Sequence, residues 1–309
     1  MTTHLNRVVL VYSGGPDASA AISLLKARYD AEVITVTLDL GQGNALESVR
    51  DRALSDGAQR AHVLDVREQF AGEFILPALK ADAISEGGQS LAGALAHTVI
   101  ARTLVEIARI EQARAVAHEF CRSVVDQARL ETAIRALDPA LKIIALDLPC
   151  EMAGAERPDS GRDVQKPEPT GEPASVAISF ERGVPVAING VNMSLLDLIG
   201  SLETISGGDG INPSVLILHA AHRNLQKLVV ARELDGFATI VARQYADLID
   251  DGLWFTPLRE ALDGFIDRVQ ERVTGVVRLQ LLKGGCRIVG RQSPFALDSR
   301  PQEEVGFIA

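Results

Sequence analysis

Apolar residues follow two different rhythms along this chain. In the first half, short β-branched runs alternate with stretches whose apolar positions recur at helical spacing. The runs predict strands near 8–12, 32–37, 61–65, 114–118 and 141–147. The stretches between them predict helices near 17–28, 45–56, 67–82, 92–111 and 127–137. Such alternation argues for an α/β domain, a parallel sheet covered by helices on both faces. Ligands of these sheets lie beyond the carboxyl ends of the strands. The loops after Tyr12, Thr37, His118 and Asp147 are therefore expected to face one another across a single site.

The rhythm breaks at 151–174, where EMAGAERPDSGRDVQKPEPTGEPA is rich in Pro, Gly and charge and reads as a linker. Beyond it the texture changes. SVAISF and VPVAI, joined around Arg182-Gly183, read as a hairpin, as do GVVRLQLL and CRIVGR around Lys283-Gly284-Gly285. Helices are predicted over 193–205 and 218–250. An amphipathic helix over 257–273, after Pro257, is expected at a domain or subunit interface. The organisation expected is a first domain over 1–150, a linker, and a smaller α+β domain over 175–309 that ends in a helix and a hairpin.

The stretch VVLVYSGGPDAS at 8–19 carries the chemistry. An apolar strand runs into Ser13-Gly14-Gly15, and Pro16-Asp17-Ala18-Ser19 then opens a helix. Glycines let backbone N–H groups approach an oxyanion without a Cβ in the way. The helix behind them aims its unpaired N–H groups and positive dipole end at the same place. Ser13 and Ser19 add hydroxyl donors. The chain at this point has no Gly-Lys-Ser/Thr and no G-x-G-x-x-G, so neither the Walker loop nor the dinucleotide fingerprint applies. The form S-G-G-x-D-x-S resembles the pyrophosphate-binding loop of N-type ATP pyrophosphatases.

Composition narrows the partners. With 47% hydrophobic and 23% charged residues the chain has the make-up of a soluble globular protein. A formal charge of −10 argues against a nucleic-acid surface, which needs clustered Lys and Arg. MTTHLNRVVLVY runs straight into the first strand, and no apolar run reaches membrane-spanning length, so neither a signal peptide nor a membrane partner is expected. Three cysteines give no disulfide framework and suit a reducing cytoplasm.

With these residues in view, the chain resembles the argininosuccinate synthase family over both domains. In the first, VLVYSGGPDAS, TLDLGQG at 37–43, LAGALAHTVIARTLVEIA at 91–108 and AVAHEF…DQARLE at 115–131 follow the family's order. In the second, FERGVPVAING at 180–190, LLDLIGSLETISGGDGI at 195–211, AAHRNL at 220–225, YADLIDDGLWFTPLREALDGFI at 245–266 and VTGVVRLQLLKG at 273–284 do so. The resemblance implies an adenine nucleotide α-hydrolase-like fold of the ATP-pyrophosphatase type. It implies ATP and Mg²⁺, joining of citrulline to aspartate through a citrulline-adenylate, and a homo-oligomer, either tetramer or dimer. It places Tyr12, Ser13, Gly14, Gly15, Asp17 and Ser19 in the pyrophosphate loop and Thr37, Asp39 and Gln42 in the adenosine segment. His118 would contact phosphate or ribose, though it reads equally as a hydrogen-bonded strand-end histidine, and Asp126 and Arg129 would act on the amino-acid side. Asp17, besides its favourable place on the helix dipole, would hold the magnesium. Asp39 also reads as a solvated loop acid, and Arg129 as half of an ion pair.

The amino-acid side departs from the family. Its Y-x-L-G-T-A-L-A-R-P segment has a tyrosine, threonine and arginine where this chain has Gln89, Gly93 and His97. In H-G-x-T-G-K-G-N-D-Q-V-R-F-E, the glycine after the histidine is Glu119, and the threonine and asparagine are Cys121 and Val125. The family's E-N-R, Y-E and N-L-W-G-x-S-x-E-G segments are missing. The leading expectation is an AMP-forming C–N ligase acting on amino-acid-like small molecules, with an acceptor open to change. Two other readings remain: a non-catalytic nucleotide-binding subunit or regulator, and a sulfur transferase using Cys121 and Cys150. His219 and His222 read as structural, and Cys286 as core.

Overall fold

The computed structural model describes residues 5–41, 46–85, 87–119, 123–146, 174–207, 211–282, 285–297 and 305–308, with backbone alone for Pro16, Asp17, Leu282 and 305–308. In chain order the first elements are β1 (Arg7–Val11), α1 (Pro16–Tyr29), β2 (Glu32–Asp39), α2 (Leu46–Ser55) and β3 (Arg60–Asp65). Next come α3 (Arg67–Phe70), a π-helical turn (Ala71–Ile75), α4 (Leu76–Lys80), α5 (Ala92–Ile110), β4 (Ala115–His118), α6 (Val124–Leu137) and β5 (Lys142–Ala145). The second half holds β6 (Ala174–Glu181), β7 (Val184–Ile188), β8 (Val191–Asn192), α7 (Leu195–Ser206), α8 (Ile211–Val229) and α9 (Arg232–Asp250). It closes with α10 (Pro257–Gln270), β9 (Gly275–Leu282), β10 (Gly285–Gln292) and β11 (Val305–Ile308).

These elements form two compact units that do not follow the expected boundaries. One unit is Met1–Val66 with Ala96–Val164 and Asp251–Phe255; the other is Arg67–Leu95 with Gln165–Asp250 and Thr256–Ala309. Residues 67–95, expected in the first domain, thus belong to the second unit, which becomes the longer of the two. The interrupted helix over 67–80 has a local cause. Pro77 has no N–H and its ring crowds the carbonyl four residues back, so the preceding turn widens and Leu76 N–H reaches the Ala71 carbonyl instead. Most of the 151–174 linker lies outside the described residues.

In the first unit the five strands are all parallel, in the order β3-β2-β1-β4-β5. Alternation along β1 puts Val8, Leu10 and Tyr12 on one face, where they pack with Ala18, Ala21, Ile22 and Leu25 of α1. Val9, also fully buried, falls on the opposite face. The strand order reverses between β1 and β4, so a crevice is expected beyond their carboxyl ends. The amino ends of the strands are closed by charge. Buried Glu111, just past α5, bonds Arg60 and His62 at 2.8 Å each, and its carbonyl accepts from Arg7 at 2.8 Å. Burial alone would raise the Glu111 pKa, but hydrogen bonds from His62 and Arg60 outweigh it and hold the carboxyl below its ordinary range.

The second unit is α+β, as expected. Its sheet runs β11-β10-β9-β6-β7-β8 and is antiparallel throughout. Both predicted hairpins are present, and β11 is an addition. The single helix expected over 218–250 is two helices, and the first begins earlier, at Ile211, with Pro213 in its opening turn. At the break the Leu228 carbonyl, left free by the helix end, accepts from Leu297 N–H at 3.1 Å. The amphipathic helix expected over 257–273 is present as α10. α10 buries Ile266, Val269 and Gln270 within this unit, and its Asp263 accepts from buried Tyr245 of α9 at 2.8 Å. No described helix is long and apolar enough to cross a membrane.

His219 and His222 are structural, side by side on the buried face of α8. Gln270 Oε1 accepts from His222 Nε2–H at 2.7 Å, and its amide N–H groups donate to the Lys80 carbonyl and to Gln226. Asp82, which Arg223 bonds, lies 3.8 Å from His219. Burial lowers both histidine pKa values to about 4, against the raising effect of the Gln270 hydrogen bond on His222. The folded state therefore keeps them neutral where the unfolded chain takes up protons. Their contribution is complete above about pH 6.5 and is lost as pH falls toward 4, with up to about 3 kcal/mol at stake for each. Glu111 extends the loss to lower pH. Urea unfolding between pH 7.5 and 4.5 is expected to show the midpoint falling steadily below pH 6.5; a flat profile would contradict this account.

Candidate functional site

At the end of β1 the chain is still in sheet register at Tyr12, whose N–H donates to the Val36 carbonyl at 2.9 Å. It must then reverse into α1 almost at once. Gly14 makes this possible with φ +81°, a left-handed conformation that side chains resist. A Cβ there would also stand 3.0 Å from Val49 Cγ2. Gly15 is the extended N-cap and Pro16 opens the helix. This geometry leaves the first N–H groups of α1, and the positive end of its dipole, at the carboxyl edge of β1.

Two polar residues of α2 and its end hold the loop from beneath, and sequence reasoning missed both. Asp56 accepts from the Tyr12 hydroxyl at 2.8 Å and from the Ser19 hydroxyl at 2.5 Å. Arg52 donates to the Gly14 carbonyl at 2.6 Å. Tyr12 is buried, and burial together with the Asp56 carboxylate raises its phenol pKa. The structure thus ties the hydroxyls of Tyr12 and Ser19, both expected at the nucleotide, to the loop's own support. Thr37 acts similarly: it is buried and donates to the Tyr12 carbonyl at 2.8 Å. Ser13 is different. It is exposed, and its hydroxyl donates to Glu119 at 3.1 Å.

Asp39 closes β2 and accepts from Gly41 N–H at 2.8 Å, an Asx turn that shapes the loop leaving the strand. Gln42, Cys121, Cys150 and the loop after Asp147 lie outside the described residues, as does the side chain of Asp17. Among the described residues no group of three or more His, Cys, Asp or Glu could hold a metal ion.

The remaining candidates gather at β4 and α6. His118 ends β4, is buried, and faces Glu131 at 3.5 Å. Burial lowers its pKa, with Glu131 opposing, so the imidazole is neutral at neutral pH. Ser123 caps α6 by accepting from Asp126 N–H at 3.2 Å. Asp126 in turn accepts from Arg129 at 2.7 Å and lies 3.9 Å from His97. Arg129 is therefore a buried, oriented cation whose ion-pair partner is Asp126 rather than Glu131; Glu131 is taken by Gln127 and Arg135. Gly252, at φ +72°, packs against the backbone of Arg129, and a Cβ there would meet its carbonyl oxygen at 2.3 Å.

A glycine turn and helix start at the switch point of a five-stranded parallel sheet define a nucleotide-binding α/β domain. Residues 7–157 match the arginosuccinate synthase N-terminal HUP domain, and 161–212 and 211–306 match the arginosuccinate synthase C-terminal domain. The chain is 38% identical to the argininosuccinate synthase of Caldanaerobacter subterraneus subsp. tengcongensis, over 94% of this chain and 87% of that one. It is 39% identical to that of Pelotomaculum thermopropionicum, over 94% and 89%. This chain belongs to the argininosuccinate synthase family. The first alignment spans 356 residues against a chain of 309, so that relative has segments with no counterpart here.

Two variants test this geometry. Asp56→Ala leaves the Tyr12 and Ser19 hydroxyls without their shared acceptor and is expected to cost about 1–3 kcal/mol in urea unfolding. Gly252→Ala forces backbone against backbone, and a loss of at least about 2 kcal/mol is expected by the same measurement.

Proposed function

We propose that this protein is an ATP-dependent C–N ligase that forms AMP and pyrophosphate, acting on amino-acid-like substrates. The observation that carries the reading is the left-handed Gly14 turn feeding α1 at the switch point, in a chain matched by both family domain models. ATP would lie with its β and γ phosphates on the Ser13–Ser19 loop. An acceptor oxygen, ureido or carboxylate, attacks the α-phosphorus, and the bond to pyrophosphate breaks. An amine then displaces AMP from the acceptor carbon, and its proton leaves to solvent or a nearby base. Loop N–H groups stabilise the departing pyrophosphate. Asp17 would hold Mg²⁺ together with the phosphates, and the cation would neutralise charge on the leaving group.

Arg129 is suited to grip a substrate carboxylate, since Asp126 fixes its guanidinium in advance. Gln89, Gly93, His97, Cys121 and Val125 stand where the family has other side chains, so the acceptor is open to an oxygen other than that of citrulline. A homo-oligomer in the cytoplasm completes the proposal. A second reading, a nucleotide-binding subunit or regulator without turnover, draws support from the Glu119 carboxylate on Ser13.

Pyrophosphate release, measured with ATP, Mg²⁺ and paired amino acids beginning with citrulline and aspartate, tests the ligase reading. Turnover with one pair is expected. Arg129→Lys, which loses the bidentate fork, should lower kcat/KM for the amino-acid substrate by about tenfold or more and leave ATP affinity nearly unchanged. ATP binding without turnover for any pair would favour the regulator, and absence of nucleotide binding would end both readings.

A further inference from the structure

The bond between Ser13 and Glu119 places a fixed negative charge on the rim of a loop whose dipoles favour anions. We propose that Glu119 determines which form of the nucleotide enters: it repels a metal-free polyphosphate and admits one bridged by a divalent cation. The inference rests on the nucleotide reading above.

Three observations support it. Glu119 directly follows His118, the last residue of β4, and β4 is hydrogen-bonded to β1. The two loops therefore rise from neighbouring strands at the point where the sheet order reverses, and the Ser13–Glu119 bond spans them. Second, the Tyr12 and Ser19 hydroxyls are held by Asp56, whereas the exposed Ser13 hydroxyl faces outward, and Glu119 occupies it. An incoming phosphate must take that donor from a carboxylate. Third, Glu119 is partly buried, where water screens its charge less than at an open surface.

The same carboxylate has the opposite effect once a cation is present. Mg²⁺ is commonly held by one or two carboxylates together with substrate phosphates and retained waters. Glu119 supplies a hard oxygen at the rim, so the group that opposes the bare anion becomes a partner of the complexed one. A glycine at this position, as in the family motif, could do neither.

Titration calorimetry on the full chain tests this, with ATP in EDTA and ATP in excess Mg²⁺, for the unmodified protein, Glu119→Gln and Ser13→Ala. Glu119→Gln keeps the shape and removes the charge. It is expected to bind metal-free ATP at least about tenfold more tightly than the unmodified chain, while affinity for the magnesium complex changes much less. Ser13→Ala keeps the charge and should keep the strong dependence on Mg²⁺; loss of that dependence would overturn the inference. So would a Glu119→Gln affinity for metal-free ATP equal to that of the unmodified chain, or an equal gain in both buffers. If Glu119→Gln does not reach the unmodified melting temperature, Glu119→Gly is read by the same criteria. If folded protein binds ATP in neither buffer, with or without the substitution, the nucleotide reading itself falls.

Discussion

The first unit is organised around one reversal, from β1 into α1. The chain must leave a central strand with a buried middle and start a helix within a few residues, and only a residue that tolerates left-handed backbone can do this beside Val49. Gly14 meets that requirement. Its carbonyl is fixed by Arg52, and the residues on either side are held by Asp56 through Tyr12 and Ser19. The loop is thus held in place by side chains of α2 and its end. Such preorganisation lowers the cost of binding and is the basis on which an anion site at a helix start works.

The second feature is the division of labour among hydroxyls. Tyr12, Ser19 and Thr37 all turn inward, to Asp56 or to the Tyr12 carbonyl, and make the loop what it is. Ser13 turns outward and meets Glu119. Charge at this rim is balanced differently from a site lined only by dipoles, because the Glu119 carboxylate stands there. On the opposite, amino edge of the same sheet, buried Glu111 pairs with Arg60 and His62.

Much of this was legible in the sequence. Each strand and helix of the first half lies within a few residues of its predicted place, because β-branched runs and helical spacing seldom imitate each other. SGGPD announced a turn that needs glycine. Other features had no local signal. Nothing in the run 218–250 marks the break, where the Leu228 carbonyl is taken by distant Leu297. Residues 67–95 look like any helix of an α/β unit, yet they fold with the second unit. Asp56 and Arg52 read as surface charges on an amphipathic helix, and only the folded chain brings them under the loop.

Periodicity, glycine placement and motif order by themselves settled the α/β class, the family resemblance and the position of the loop, because these depend on neighbours in the chain. The tertiary structure decided which polar groups serve as supports and which face outward, since a hydroxyl's role depends on partners far away in sequence. Asp56 is 37 residues from Ser19 and Glu119 is 106 from Ser13, separations that no local pattern encodes.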